Sequence, residues 1–366
     1  MKVAVIFGGP SSEHEVSLAS AKNVLSALLS NQHDVFPIGV LKDGRWVSGV
    51  NSLHYLISIA DKSILPAGLE EFHDEFITSL GGSSLEEGIE TTVSALPAQS
   101  IFEGVDVVFP VLHGAFGEDG KLQGLLEISG VPYVGCGVLS SAACMDKIVT
   151  KQVLESCGVK QASWFWLDSK IISAQLDSCI EDINSKLGGF PVFVKPANAG
   201  SSVGISKVKS AESLKDALIE ASKHDSRILL EESIEGRELE VAVLGNSDLE
   251  VSPIAAEVLP EHEFYDYKAK YIDGSTTIKL PADLPNEIMA RLQSVAKEVF
   301  VALDCAGLSR VDFFYRESDD SVILNEINTL PGFTQISQYP KLMMQAGYTY
   351  EELIQKLIDL AIEKHS

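Results

Sequence analysis

One segment restricts the fold of this chain more than any other. Leu308 to Tyr315 and Ser321 to Ile327 are apolar, β-rich runs separated by the polar stretch Glu317-Ser318-Asp319-Asp320. That pattern predicts a β-hairpin. Folded about residue 319, it sets Asp312 opposite Glu326 and Arg310 opposite Asn328. Side chains alternate faces along a strand, so the four polar groups share one face, and directly opposed Cβ atoms lie only ~5 Å apart. The same register pairs Phe314 with Leu324 next on that face and turns Val311, Ile327, Tyr315 and Ile323 to the other. Unpaired buried charge is costly. A sheet buried on both faces therefore does not collect two carboxylates, an amide and a guanidinium for packing. Asp, Glu and Asn are hard oxygen ligands suited to Mg²⁺, which prefers carboxylates plus substrate phosphates to an all-protein cage. The bland alternative is a structural ion pair with solvated neighbours.

The 366 residues suffice for two or three domains with real cores. With 28 basic and 52 acidic side chains the formal charge is -24. That argues against nucleic acid as a partner, because displacing counterions from a phosphate backbone needs a basic footprint. A nucleotide is not excluded, since a few lysines and Mg²⁺ set the local sign. The five cysteines (136, 144, 157, 179 and 305) show no Cys-x-x-Cys spacing, so free thiols in a reducing compartment are expected. Met1 to Phe7 is too short an apolar run for a signal peptide, and no run reaches membrane-spanning length. The expectation is a cytoplasmic protein with no membrane partner.

Val3 to Phe7 reads as a buried parallel strand. Gly8-Gly9-Pro10-Ser11 then turns into a helix, where Ser12 and Glu15 form a capping-box pattern and Leu18, Ala21, Leu25 and Leu28 the apolar stripe. Strand, glycine turn and helix start often make a ligand site at a sheet's carboxyl edge; a GxGxxG fingerprint is absent. Residues 43–103 carry no legible chemistry. Val105 to Leu112 is a second buried strand, ending in the glycine-rich loop His113-Gly114-Ala115-Phe116-Gly117-Glu118-Asp119-Gly120, where such sheets place function. A short strand is expected at Val131 to Val134, and one helix from Ser140-Ser141 through Asp146, Lys147 and Lys151 to near Gly158. Lys195 ends the strand Phe190 to Pro196 and is followed by Gly200-Ser201-Ser202-Val203-Gly204. A lysine beside such a loop is one way a cation and backbone N–H groups meet phosphates. Further strands are read at Ile228 to Glu232 and from Gly236 to Leu244. Leu259 to Asp283 is irregular but holds Tyr265, Tyr267, Lys270 and Tyr271; aromatic content favours a lid over disorder. Tyr350 to Ile362 reads as a final amphipathic helix.

In this order the pieces resemble the ATP-grasp superfamily, and within it the D-alanine–D-alanine ligase family. The likeness runs through Gly8-Gly9 with Ser12 to Ser17, His113-Gly114 with Glu118-Asp119-Gly120, and Met145-Asp146-Lys147. It continues through Val194-Lys195-Pro196 with Gly200 to Gly204, Phe264 to Tyr267 with Ala269-Lys270-Tyr271, Arg310-Val311-Asp312, and Asn325 to Phe333. It covers nearly the whole chain, with 43–103 resembling an insertion found in longer members. The resemblance implies an α/β and α+β fold of three domains: 1–137, with a Rossmann-like parallel sheet; 138–231; and 232–366, with a lid at 259–283. ATP would lie between the sheets of the second and third.

The resemblance also implies roles. Lys147 and Lys195 would hold phosphates, with the Ser201-Ser202 loop closing over them. Glu231 would accept from the adenine amine, Ile234 would line the nucleotide site, and Glu238 would bind ribose hydroxyls. Asp312, Glu326 and Asn328 would hold two Mg²⁺ ions, for which Mn²⁺ could substitute. Glu13 would pair with the first D-alanine's ammonium and join Ser201 and Tyr271 in latching the lid, with His113 beside that substrate. Lys270 and Ser337 would take the second substrate's carboxylate. Arg310 and the Gly332 N–H would stabilise the oxyanion formed when the second amine attacks the acyl phosphate. Each residue has a plainer reading: Glu13 as helix-dipole complement, Ser201 as loop, Glu231 and Glu238 as solvated strand ends, Tyr271 as packing, Lys270 as surface charge. The lid tyrosine favours D-alanyl-D-alanine over D-alanyl-D-lactate, because related lactate-forming enzymes carry histidine there. D-serine as second substrate, a non-catalytic nucleotide-binding protein and another ATP-grasp ligase are the alternatives. Relatives suggest a homodimer.

Overall fold

The computed structural model describes residues 1–49, 51–60, 69, 93–94, 99–172, 176–200, 202–259 and 277–366. Ser201, Lys270 and Tyr271 lie outside them, as do much of 43–103 and most of the expected lid.

The first unit contains β1 (Lys2–Gly8), α1 (His14–Ser30), β2 (Asp34–Val40), β3 (Trp46–Ser48), α2 (Ser52–Ile59), β4 (Val93–Ser94), β5 (Val107–Pro110) and α3 (Lys121–Ser129). The apolar run Val3 to Phe7 is wholly buried, as a strand covered on both faces requires. The sheet order is β4-β3-β2-β1-β5. It is parallel only over β2-β1-β5, and β3 and β4 extend it antiparallel. The expected parallel sheet is these three strands, and the antiparallel pair widens it. The connection from β2 to β3 is a tight turn closed by Leu41 N–H on Arg45 O, and a parallel pairing needs a crossover of about a dozen residues. Val131 to Val134 is not a strand but a single parallel bridge between Val108 and Tyr133.

The expected capping box also fails. Glu13 occupies the cap of α1 without a side-chain cap hydrogen bond, and Glu15 is buried against Lys42 at 2.6 Å. An ammonium is a stronger partner for a buried carboxylate than a backbone N–H. Ser17 anchors the helix instead, accepting from Gly8 N at 2.8 Å and donating to Val111 O at 2.6 Å. The bonds from this one side chain hold the ends of β1 and β5 together.

The second unit holds α4 (Val138–Met145), α5 (Lys147–Ser156), β6 (Trp164–Asp168), α6 (Leu176–Lys186), β7 (Val192–Pro196), β8 (Ser206–Val208), α7 (Ala211–Ser222) and β9 (Arg227–Glu232), with an antiparallel sheet in the order β6-β9-β7-β8. The single helix expected from residue 140 is broken at Asp146, whose backbone is extended and whose carboxylate accepts from Ile148 and Val149 N–H at 3.1 Å each. Aspartate competes for backbone donors and so starts a new helix. Lys147 therefore stands in the first turn of α5, and its N–H is tied to Ala197 O.

The third unit comprises β10 (Arg237–Gly245), β11 (Glu250–Val251), β12 (Ala256–Leu259), β13 (Thr277–Lys279), α8 (Asn286–Ala302), β14 (Gly307–Arg316), β15 (Ser321–Asn328), α9 (Gln338–Met344) and α10 (Tyr350–Lys364). Its sheet runs β13-β12-β10-β14-β15, with β11 also on β10. Helix α10 carries a complete capping box from Thr349 and Glu352. Its buried Leu353, Ile354, Leu357 and Ile358 join Leu18, Leu25 and Leu28 of α1 in one core, so the last helix packs on the first sheet. Phe333 completes that junction. Its ring centroid lies 5.8 Å from Phe109, 5.7 Å from Tyr339 and 5.9 Å from Tyr350, and its carbonyl accepts from Tyr350 Oη at 2.6 Å. The loop before Phe333 is thereby fixed beside the carboxyl end of β5.

Candidate active site

The hairpin β14–β15 has the expected register where it matters: Arg310 pairs with Asn328, Val311 with Ile327 and Asp312 with Glu326. Beyond Asp312 it does not. A β-bulge shifts the ladder, so Phe313 pairs with Leu324 and Phe314 with Ile323, rather than Phe314 with Leu324 and Tyr315 with Ile323. Asn325 is the extra residue. Leu324 then joins Val311 and Phe313 in the core, while Asn325 and Glu326 both reach the cleft. On the polar face the Arg310 guanidinium grips Asp312 through two bonds of 2.7 Å and lies 3.4 Å from Glu240 Oε1. Asn328 Nδ2 donates to Asp312 Oδ2 at 3.0 Å, leaving its own amide oxygen for another partner. Burial works to lower the Arg310 pKa, but Asp312, Glu240 and Glu326 together raise it well above its ordinary value.

At the end of β5, Gly114 adopts φ +75°, and a Cβ there would stand 2.9 Å from Ser11 Oγ and 3.4 Å from Glu13 Oε2. Glycine is what allows this backbone so close to the Glu13 carboxylate. His113 is 3 % exposed, with Nδ1 2.9 Å from Leu330 O and Nε2 2.9 Å from Ser20 Oγ. A carbonyl only accepts, so Nδ1 carries the proton and Nε2 accepts from the serine hydroxyl. Burial lowers the pKa of the ring against the pull of Glu13, in keeping with that neutral form. His113 lines the cleft, yet both its nitrogens are taken, one by the Leu330 carbonyl and the other by Ser20 of α1.

Glu118, for which the sequence reading named no role, belongs to the same wall. Its Oε1 accepts from Gly114 N at 3.0 Å, and burial, then the charge of Glu13, raises its pKa well above normal. The signal for it was its place in the glycine-rich loop, four residues after Gly114. A raised folded-state pKa means that the ionised form costs stability, and this cost grows as pH rises through that value. Glu118→Gln, which cannot ionise, should lose less melting temperature than wild type between mildly acidic and alkaline buffer. Thermal denaturation across pH reads this directly, and parallel curves for the two proteins contradict it.

From the second unit, Lys195 at the end of β7 and Lys151 on α5 are both ion-paired with Glu231 of β9, one on each carboxylate oxygen. Burial would raise the Glu231 pKa, but the two lysines bring it down to about 2. Lys195 is held up by Glu231 and Glu326 against burial. Lys147 is lowered by burial and by Lys195, and its ammonium donates to Ala199 O at 2.6 Å. Ser202, in the loop above, is held at φ +59°.

Two adjoining clefts share Lys147, Lys195, Ser202, Glu231 and Glu326. Glu13, His113, Arg310, Asn328 and Gly332 line the first; Ile234 and Glu238 line the second. Asp312 stands behind Arg310. Ser337 is on neither wall: its Oγ accepts from Thr334 N at 3.0 Å and would lie 3.1 Å from a Cβ on Gly332, one step behind the loop.

Comparison with known proteins agrees with this geometry. The family model for the D-ala D-ala ligase N-terminus matches residues 2–136, and that for the D-ala D-ala ligase C-terminus matches 153–359. The D-alanine–D-alanine ligase of Acetivibrio thermocellus is 46 % identical over 373 residues, covering 100 % of this chain and 96 % of its own length. That of Clostridium acetobutylicum is 44 % identical, covering 100 % and 99 %. Among solved structures, the VanG D-Ala:D-Ser ligase from Enterococcus faecalis superposes with a TM-score of 0.79 at 35 % identity, covering 98 % of this chain and 99 % of that one. With both family models matched in order and relatives of this similarity along the full length, the chain belongs to the D-alanine–D-alanine ligase family.

Proposed function

We infer that this protein is an ATP-dependent ligase that joins two D-alanine molecules into D-alanyl-D-alanine, a precursor of peptidoglycan, through a D-alanyl phosphate. The observation that carries the reading is the continuity of the two clefts: Glu13, Arg310 and Gly332 at one end, Glu238 at the other, and Lys147, Lys195 and Glu326 between them. A carboxylate to be activated and a nucleotide that activates it must meet in such a place.

The donor set on the hairpin fits Mg²⁺. Asp312, Glu326 and the Asn328 amide are hard oxygen donors, the kind that Mg²⁺ takes a few of while completing its shell with phosphate oxygens and water. Two Mg²⁺ ions, or Mn²⁺ in their place, would screen the charge that develops during phosphoryl transfer.

In the proposed scheme Glu13 orients the first D-alanine through its ammonium, while Lys147 and Lys195 neutralise the phosphates its carboxylate must approach. Ser201 and Ser202 close over them, and Ser201 with Tyr271 latches the lid to Glu13. Exclusion of water matters because an acyl phosphate hydrolyses. Lys270 directs the second D-alanine, with Ser337 supporting the Gly332 loop from behind, and the free amine of that substrate attacks the acyl carbon and forms a tetrahedral oxyanion. Arg310 and the Gly332 N–H stabilise that oxyanion, and phosphate leaves as it collapses. Ile234 and Glu231 hold the adenine, and Glu238 the ribose. His113 acts by keeping the Gly332 loop in place.

The unit boundaries 1–137, 138–231 and 232–366, a homodimer and a cytoplasmic location complete the proposal. No helix among the described residues is long and apolar enough to cross a membrane. The test is ADP release by the purified chain with Mg²⁺ and D-alanine, set against L-alanine and against D-alanine with D-lactate or D-serine. D-alanyl-D-alanine should be the main product from D-alanine alone. ATP binding with no D-alanine-dependent ADP release would overturn the reading.

A further inference from the structure

Lys151 carries a charge that the scheme above does not use. It stands one helical turn after Lys147 on α5, so both ammonium groups project from the same face. Lys151 is 4 % exposed and lines the cleft. Its Nζ makes no regular hydrogen bond, and the Glu231 carboxylate is its charge partner. A lysine buried to this degree is costly unless paired. Lys195, on the neighbouring strand β7 and only partly buried, takes the other oxygen of the same carboxylate, so one buried anion sits between two cations.

We propose that Lys151 is a positioning residue of the nucleotide site: it anchors the Glu231 carboxylate as an acceptor for the amine of the base and so frees Lys195 for the phosphates. This rests on the nucleotide-site reading given above. A carboxylate has about four acceptor positions, so Glu231 holds Lys151 and still accepts from a ligand N–H. Without Lys151 the anion would depend on Lys195 alone. A one-to-one buried pair would then compete with the phosphates for that lysine, and Glu231 would follow Lys195 away from the base. Lys147 does not substitute, because its ammonium is engaged by Ala199 O.

The test compares full-length wild type with Lys151→Met by calorimetric titration with Mg-ADP and with Mg-IDP, whose base carries a carbonyl oxygen where adenine carries the amine. ADP affinity is expected to fall about tenfold, the loss of one charge-assisted hydrogen bond, and the preference for ADP over IDP to shrink with it. In the ligase assay the KM for ATP should rise while kcat changes little. A merely structural lysine would lower the melting temperature and leave base preference intact, and that outcome overturns the proposal. Should Lys151→Met fail to fold, a double variant with Glu231→Gln removes the ion pair as a unit. Its ADP-to-IDP ratio is expected to equal that of Glu231→Gln alone, and a different ratio also overturns the proposal. Nucleotide titration needs no D-alanine, so a failure of the ligase reading would show separately, as wild-type protein that binds ADP but does not turn over.

Discussion

Replacing Arg310 by alanine is expected to slow turnover by ~10²–10³-fold while Mg-nucleotide affinity changes only a few-fold, the usual effect of deleting one oxyanion donor. The side chain stands on the substrate side of the shared cleft with Gly332 and Glu13, away from Ile234 and Glu238, which line the other side. Its loss should therefore fall on the chemical step and not on nucleotide capture. The variant has a second consequence. Asp312 loses both of its 2.7 Å bonds to the guanidinium, and Glu240 loses a cation 3.4 Å away. Breaking a buried pair by removing one partner costs about 3–5 kcal/mol, so rates should be compared well below the lowered melting temperature. Arg310→Lys separates the two effects. It keeps the charge but not the planar fork, and should recover stability far better than it recovers kcat. Single-turnover ADP formation with D-alanine, beside calorimetric titration of nucleotide, measures both quantities. A variant that folds and turns over at the wild-type rate removes Arg310 from the mechanism.

Glu326→Gln should have an effect of comparable size through the metal. The substitution keeps the shape of the side chain and deletes a carboxylate whose charge reaches Lys147 and Lys195. A divalent ion at a transferring phosphoryl group contributes several kcal/mol, so at limiting Mg²⁺ the rate is expected to drop on the order of 10³-fold and to recover in part at high Mg²⁺ or with Mn²⁺. The charge of Glu326 also raises the pKa values of Lys147 and Lys195. Its removal deepens the depression that burial already imposes on Lys147, but it also removes a negative charge from beside the phosphates. Metal-free nucleotide should accordingly bind at least as well to the variant as to wild type, while the gain in affinity from adding Mg²⁺ disappears. Titrating ADP with and without the cation decides the point. An undiminished Mg²⁺ effect would show that Glu326 does not hold the ion.

The hairpin illustrates how far local pattern reached. Alternation along Arg310-Val311-Asp312 and Glu326-Ile327-Asn328 places the polar four together because a pleated strand leaves no other choice. The bulge at Asn325 was marked only by two adjacent polar residues where strict alternation calls for one, and the register beyond it came out one residue wrong. Local competition defeated two other expectations. Glu15 had a capping partner in sequence but a better one, Lys42, in space, and Asp146 cut a helix whose apolar pattern runs on. Glu118 and Lys151 lay inside recognised segments without a stated role, because nothing in a linear string shows which carboxyl or ammonium will be sealed from water.

What the chain determined by itself is which residues share a face and which turns interrupt them, because helix and strand periods are properties of neighbouring residues. Only the tertiary structure decided the charge state of the site. Lys151, Lys195 and Glu231 meet from three separate elements, burial presses the His113 ring toward its neutral form, and Glu118 is pressed toward its protonated form by burial and by Glu13. Coulomb energy and desolvation depend on distance through space and on exclusion of water, and neither quantity is defined until distant segments have packed.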